Sequence, residues 1–488
     1  MRGDASFDAA VRQLGRTITG KKRADPGAMT WEAQFDQLGT YVRRLGLDRP
    51  SDALRVIHVA GTKGKGSTCA MAERCLREAG TRCGTFTSPH LVDVRERFRV
   101  DGEPVSREAF AREFWWMHDA LEGSCGDLGM PAYFRFLTLL GLRIFSEAKV
   151  EACVLEVGLG GRLDATNVIR KPVVCGISSL GMDHTDILGD TLEKIATEKA
   201  GIMKPGARVF TSPQKPEAMA ALERRAKEVG CELVVIKSLD DYKDGEEIEV
   251  SLAGPHQREN ASLAVALVRE WANVTKQPWA TEMEASFQRN ELPAFMRRGL
   301  AKTVWPGRSQ VIDDPDEKNL TFFLDGAHTV ESMRHSAVWF AKSATRGVVN
   351  STSSHDIMMF NCMEDRKPHE LLEPVDSVFS ASNVSLEQTI FTPPDSSTGG
   401  LDKSALAKAT PWQEKCAREW DEIRDRRATL TSRDAPSSSR GVVMPSIQQA
   451  LGAIRQRARE VAPARVNVLV TGSLYLVGDV LRHLRRLA

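Results

Sequence analysis

His58-Val59-Ala60-Gly61-Thr62-Lys63-Gly64-Lys65-Gly66-Ser67-Thr68 is the stretch on which the fold turns. The apolar run from Val56 to Ala60 reads as a buried strand, and a glycine-rich turn follows it. A helix then opens at Ser67, with Met71, Ala72, Cys75, Leu76 and Ala79 on one buried face and Gly80 as its stop. Strand, glycine loop, lysine and hydroxyl at a helix N-terminus are what a nucleotide phosphate needs. Glycines let backbone N–H groups approach the oxygens, and the helix end adds a positive field. Gly64, Lys65, Gly66 and Ser67 form the heart of the loop. Lys65 is placed for the outer phosphates, and the hydroxyl of Ser67 or Thr68 for Mg²⁺. In the common phosphate loop the hydroxyl directly follows the lysine. Here Gly66 intervenes, which points to a narrower group.

Outward from this stretch, helices are expected over 7–18 and 31–45 before it. After it come strands at 82–87, 150–157, 172–178 and 208–211, interleaved with helices at 107–121, 133–147, 192–202 and 256–271. The alternation predicts an α/β fold with a mostly parallel, helix-flanked sheet. Residues 238–252 are acidic and read as a surface hairpin. Residues 293–306 hold two prolines and Gly299 without a clear period, and read as a hinge. A second α/β pattern starts at 320–324, with strands near 357–360 and 466–471 and a last helix at 477–487. The expected domains are 1–296 and a smaller 297–488. Residues 392–440, rich in Pro, Ser, Gly and charge, read as a mostly flexible insertion. Trp412, Cys416, Trp420 and Ile423 have the spacing of one amphipathic helix inside it.

A chain of 488 residues is too long for one core. The 66 basic and 65 acidic residues leave a net charge of +1, and nothing in that balance suggests a nucleic-acid or membrane-surface partner. Nine cysteines, scattered and without a Cys-x-x-Cys pair, argue for reduced thiols rather than zinc or disulfides. No apolar stretch is long enough to span a bilayer. Asp4, Asp8 and Asp25 argue against a transit peptide. A cytoplasmic monomer is expected, with a mitochondrial isoform as the other location.

Glu156 ends an apolar strand, where a carboxylate is costly unless paired or metal-bound. In open α/β sheets the carboxyl ends of strands meet the ligand crevice. The next strand ends just before Asp183-His184-Thr185. Oxygens of Ser88 and Glu156, with His184 nearby, suit Mg²⁺ on nucleotide phosphates. A buried ion pair between Glu156 and Arg162 is the alternative. Leu324-Asp325-Gly326-Ala327-His328 repeats the pattern of apolar strand, acid, glycine and histidine. Arg308 supplies a cation that can neutralise phosphate charge growing in a transition state.

Together these segments resemble the folylpolyglutamate synthase family of the Mur ligase superfamily, in its eukaryotic form. The resemblance rests on residues 58–67, Thr87-Ser88-Pro89-His90-Leu91, Val94-Arg95-Glu96-Arg97, residues 133–138 and Glu156-Val157-Gly158-Leu159-Gly160-Gly161. It continues through residues 180–185, Glu198-Lys199-Ala200-Gly201-Ile202, His256-Gln257, Asn260-Ala261, residues 305–308, residues 324–328 and Thr471-Gly472-Ser473-Leu474. It implies a phosphate-loop N-terminal domain and a smaller Rossmann-like C-terminal domain with ATP between them. It implies ATP, folate and L-glutamate as ligands and two Mg²⁺ sites, and leaves a monovalent cation open. By matching position, Gly64 to Ser67 are the phosphate loop, and Ser88, Glu156 and His184 are Mg²⁺ ligands. Asn260, Arg308 and Asp325 contact ATP, and His328 lies beside the ATP and glutamate sites. Tyr133 and Phe134 fall in the folate region, and Ser473 in the last loop. Tyr475 departs from the histidine expected there. Lys199 matches a lysine carbamylated in family members. A neutral buried lysine can take up CO₂ and become an oxygen ligand for a second Mg²⁺. The implied reaction is ligation of L-glutamate to the terminal γ-carboxylate of a folate through an acyl phosphate. A dihydrofolate synthase or another Mur-type ligase is the nearer alternative, and a phosphate-loop switch the more distant one.

Overall fold

The computed structural model describes residues 5–18, 29–345, 354–395, 410–431 and 440–485. The chain forms two compact units. One comprises Met1–His90, Val94–Ser251 and Pro255–Val304; the other comprises Leu91–Asp93, Leu252–Gly254 and Trp305–Ala488.

The first unit is built on eight strands: β1 (Val56–Ala60), β2 (Cys83–Phe86), β3 (Phe98–Val100), β4 (Glu103–Pro104), β5 (Ala152–Glu156), β6 (Val174–Ile177), β7 (Arg208–Thr211) and β8 (Leu233–Val235). Their order is β4-β3-β2-β5-β1-β6-β7-β8. All neighbours are parallel except β2–β3 and β3–β4, which are antiparallel, the latter pair joined by the Asp101-Gly102 turn. β1 and β5 are buried at every position, as expected of central strands covered on both faces. The register places Val59 beside Glu156 and Ala60 beside Ile177. Phe86 pairs with Leu155, and Ile177 with Thr211. The carboxyl ends of β2, β5, β1, β6 and β7 therefore lie side by side along one edge.

The second unit carries β9 (Gln310–Asp313), β10 (Leu320–Leu324), β11 (Ser354–Phe360), β12 (Leu386–Phe391), β13 (Gly441–Val443) and β14 (Arg465–Thr471). They are ordered β13-β12-β11-β14-β10-β9, and only β9 runs antiparallel. Apolar clusters cover both faces. Trp339, Phe340, Phe379 and Trp420 lie in one, and Ile447, Ile454, Leu476 and Val480 in the other.

Two expectations are corrected. Residues 238–252 form no hairpin. They make two 3₁₀ turns, Leu239–Asp241 and Gly245–Glu247, with Leu239, Ile248 and Leu252 buried beneath an acidic exterior. Residues 293–306 are not an irregular hinge, because Ala294–Ala301 is helical and Pro293 is its N-cap. At Gly299 this helix lies so close to helix Lys65–Glu78 that a Cβ would sit 2.7 Å from Cys75 Sγ. The main stretch of the second unit begins at Trp305. Within 392–440, the amphipathic helix expected from Trp412, Cys416, Trp420 and Ile423 is present as Pro411–Thr431, packed with Cys416 and Trp420 fully buried. Residues 396–409 and 432–439 of that stretch lie outside the described residues. The nine cysteines are free thiols. Among the described residues no helix is long and apolar enough to cross a membrane.

Candidate active site

Helix Lys65–Glu78 opens two residues earlier than its apolar face suggests. Gly64 is its N-cap at φ 86°, a left-handed conformation that favours glycine. A Cβ at Gly64 would also fall 2.0 Å from Asn260 Oδ1, so the loop lies directly against that amide. Asn260 is held by its Nδ2 donating to Gln257 Oε1 at 3.0 Å. Gly66 and Ser67 lie in the first helical turn, where backbone N–H groups have no partner within the helix. Lys65 Nζ donates to Thr62 O at 3.4 Å, which folds the lysine back over its own loop. Thr68, one residue beyond the loop, has a buried hydroxyl without a hydrogen-bond partner.

On one side of the loop, β2 and β5 bring Ser88 and Glu156 together. Ser88 N–H donates to Glu156 Oε2 at 2.8 Å, and the Glu156 carboxylate is 4% exposed. Arg162 does not pair with it. That guanidinium is engaged by Glu198 at 3.0 Å and by Glu32 at 3.4 Å. A buried carboxylate beside a serine gives a hard-oxygen donor set of the kind that suits Mg²⁺.

Lys199, on helix Leu192–Ala200, is buried, and its ammonium donates to Gly61 O at 2.8 Å. Burial, reinforced by the neighbouring Lys65 ammonium, pushes its pKa down to about 7. Asp183 and Asp164 act in the opposite direction. The Gly158–Gly161 turn is pressed on this helix: a Cβ at Gly161 would meet the Glu198 and Lys199 carbonyls at 2.7 and 2.8 Å. His184 follows the end of β6. It is half exposed, caps the short helix Thr185–Leu188 at φ 50°, and its Nε2 lies 3.9 Å from Asp183. Tyr133 faces the Arg97 guanidinium at 5.6 Å, and Phe134 packs on Phe86 at 5.9 Å.

Asp164 is a member that the sequence reading missed. Its buried carboxylate accepts Leu159 N–H and Thr166 N–H, each at 2.9 Å, and the Thr166 hydroxyl at 2.6 Å. That hydroxyl in turn accepts from His58 Nε2 at 2.9 Å. The chain His58–Thr166–Asp164 fixes the glycine turn after Glu156. The available signal was an acid followed two residues on by a threonine, the spacing of a local side-chain turn.

In the second unit, Asp325 leaves β10 and accepts three hydrogen bonds: Ser309 N–H at 2.8 Å, Ser309 Oγ at 3.3 Å and Ala327 N–H at 3.0 Å. Burial raises its pKa and Arg308 opposes the shift. Arg308 donates to Gly326 O at 3.4 Å, and His328 Nδ1 donates to the same carbonyl at 2.8 Å. That bond fixes the proton on Nδ1 and leaves the lone pair of a neutral ring on Nε2. Ser473 is the N-cap of helix Leu474–Leu484, accepting from Tyr475 N–H at 3.1 Å.

A phosphate loop at the carboxyl edge of a parallel sheet, with a second parallel α/β unit in the same chain, defines a nucleotide-binding protein of the two-unit ligase type. No family model matches the chain. Folylpolyglutamate synthase of Arabidopsis thaliana is 41% identical over 522 residues, covering 99% of this chain and 89% of that protein. The mitochondrial folylpolyglutamate synthase of Homo sapiens is 37% identical over 553 residues, covering 98% and 92%. Among solved structures, E. coli FolC in complex with DHPP and ADP superposes with a TM-score of 0.70 at 25% identity, covering 99% of each chain. Mycobacterium tuberculosis folylpolyglutamate synthase complexed with ADP gives 0.71 at 23% identity, covering 98% and 99%, a likeness of fold. The chain belongs to the folylpolyglutamate synthase family.

Proposed function

We propose that the protein ligates L-glutamate to the terminal γ-carboxylate of a reduced folate, consuming ATP and releasing ADP and phosphate. The observation that carries this reading is the loop Gly61–Ser67 set between the Ser88–Glu156 pair and the buried Lys199. A carboxylate and an amine do not condense at neutral pH, because the carboxylate oxygen leaves poorly. In the first step a γ-carboxylate oxygen attacks the γ-phosphorus of ATP, and ADP departs with the electrons of the broken P–O bond. In the second the glutamate amine attacks the acyl carbon, the C–O bond to phosphate breaks, and the amine proton is lost to a base.

Lys65 and the N–H groups of the first helical turn stabilise charge on the transferring phosphoryl group. Asn260 holds Gly64 in place. Arg308 and Asp325 are assigned to ATP, and the Nε2 lone pair of His328 takes the amine proton. Ser88, Glu156, His184 and a carbamate on Lys199 are the groups that would hold Mg²⁺. The metal, when bound, neutralises phosphate charge. The carbamate forms when the neutral Lys199 amine attacks CO₂ and loses one proton. Tyr133, Phe134 and Ser473 are assigned to the acid substrates. The enzyme acts as a cytoplasmic monomer, and a mitochondrial form is the other location, in keeping with relatives so named.

The test is incubation with ATP, Mg²⁺, L-glutamate and tetrahydrofolate, followed by mass analysis of the folate. Successive additions of one glutamyl residue, with one ADP formed for each, are expected. Dihydropteroate is the comparison acceptor: glutamate added to it alone identifies a dihydrofolate synthase. ATP turnover that ignores glutamate identifies a nucleotide switch.

A further inference from the structure

We propose that Gln214 is a positioning residue for the phosphate loop, acting from the side opposite Glu156. The proposal rests on the reading of Gly61–Ser67 as the ATP phosphate site. The sheet register sets it up. β6 lies between β1 and β7, with Ala60 beside Ile177 and Ile177 beside Thr211, so all three strands end at one edge. Gln214 follows the end of β7 and reaches back across the end of β6.

Its carboxamide brackets one short segment. Oε1 accepts Leu180 N–H at 3.0 Å, while Nε2 donates to Ser178 O at 3.2 Å and to Thr211 Oγ1 at 3.1 Å. Ser179 sits between the two bracketed groups. Its carbonyl accepts both Thr62 N–H at 3.0 Å and Lys63 N–H at 3.2 Å. On either side of it, Ser178 Oγ donates to Lys63 O at 2.7 Å, and the Thr62 hydroxyl joins Gly181 O and Gly181 N–H at 3.2 Å each. The first limb of the phosphate loop thus hangs on residues 178–181, and Gln214 fixes that segment at two points. A carboxamide offers a donor and an acceptor together. Glutamate keeps only the acceptor, and methionine keeps neither. Loss of the bracket lets water take the Ser178 and Leu180 backbone groups, and the loop no longer meets phosphate oxygens in one fixed arrangement.

The experiment compares the full-length wild type with Gln214→Met, Gln214→Glu and Ser178→Ala. ADP with Mg²⁺ is titrated calorimetrically, and KM is measured for ATP, L-glutamate and tetrahydrofolate. For Gln214→Met, the ADP Kd and the KM for ATP should rise about tenfold, while the other two KM values stay within about twofold. Gln214→Glu should fall between Met and wild type, and it carries the test if the Met variant fails to fold. Combined with Ser178→Ala, the Met change should cost less than the product of the two single effects, because both act through one segment. Unchanged ADP affinity in both Gln214 variants overturns the proposal. So does activity lost only in proportion to folded protein, with KM for ATP unmoved. A wild type that binds no ADP defeats the phosphate-site reading itself. A wild type that binds ADP but adds no glutamate to tetrahydrofolate defeats the proposed function, and the Kd comparison still decides the role of Gln214.

Discussion

Burial at Lys199 changes what an amine can do. With its pKa drawn down to about 7, much of the side chain is neutral at physiological pH and open to CO₂. Lys199→Ala should therefore lose most activity, with part returned by bicarbonate or short carboxylic acids in the assay. Full activity of Lys199→Arg at saturating Mg²⁺ would show that no carbamate is needed. Lys65 has a different task, because its ammonium lies over the loop and contributes little to the core. Lys65→Ala should reduce kcat by two to three decades, about 3–4 kcal/mol, with an unchanged melting temperature. Near-wild-type turnover would remove the phosphate-loop assignment. His58 tests the scaffold rather than the chemistry. Burial holds its pKa down to about 3 against 6.5 for a free histidine, so the folded state keeps it neutral. The unfolded chain binds the extra proton first as pH falls. The stability tied to neutral His58 is therefore complete above pH 6.5 and is lost progressively from there to about pH 3. At pH 5 the loss amounts to about 2 kcal/mol. Urea unfolding of His58→Gln should show a shallower decline between pH 6.5 and 4.5 than wild type, and equal slopes would count against it.

Helix Pro411–Thr431 shows how the spacing of a few apolar residues outweighs polar composition. Its flanks are polar and its mean content is charged, yet Cys416, Trp420 and Ile423 are buried in the core cluster of the second unit. It is pinned as well as packed. Trp412 Nε1 donates to Cys362 O at 2.7 Å, and the fully buried Asp376 carboxylate receives Arg424 at 2.9 Å and also Arg427. Trp420→Ala should cost about 3–5 kcal/mol in chemical unfolding. Removing 410–431 should yield aggregated or unfolded protein, whereas soluble, active material would mean the helix is dispensable. The contrast with the rest of the chain is instructive. Tyr133–Glu147 and Arg208–Thr211 have the limits their periodicity predicts, because one face or both faces of each are apolar. The 238–252 segment misleads because acids outnumber the three residues that anchor it. Helix Ala294–Ala301 misleads because Pro293 reads as a breaker when it is a cap. The positions of Glu156 and Asp325 are legible since each closes an apolar strand, and that of Lys65 since a glycine loop precedes its helix. Gln214 and Ser178 are not, because their partners lie far away in sequence and are fixed only by strand order.

At the scale of the molecule, each unit places its polar chemistry where parallel strands end: residues 61–67, 88 and 156 in one, and 325–328 and 473 in the other. Strand order brings these positions to one edge within a unit, and no local pattern encodes that order. The chain does not pass from one unit to the next once. Leu91–Asp93 and Leu252–Gly254 belong to the second unit although the residues around them belong to the first. Leu91 is part of the second unit's apolar cluster, and a Cβ at Gly307 would lie 3.0 Å from its Cδ1. Residues 305–488 expressed alone should accordingly unfold at lower urea than the same unit in the full chain, and equal midpoints would show the early segments to be ornamental. The same threading bears on inheritance. A recombination event that exchanged everything after residue 304 with a distant relative would deliver a second unit still stitched with two segments from the old parent. Such a unit cannot travel as a cassette: drift at residue 91 has to be answered at residue 307, more than two hundred codons downstream.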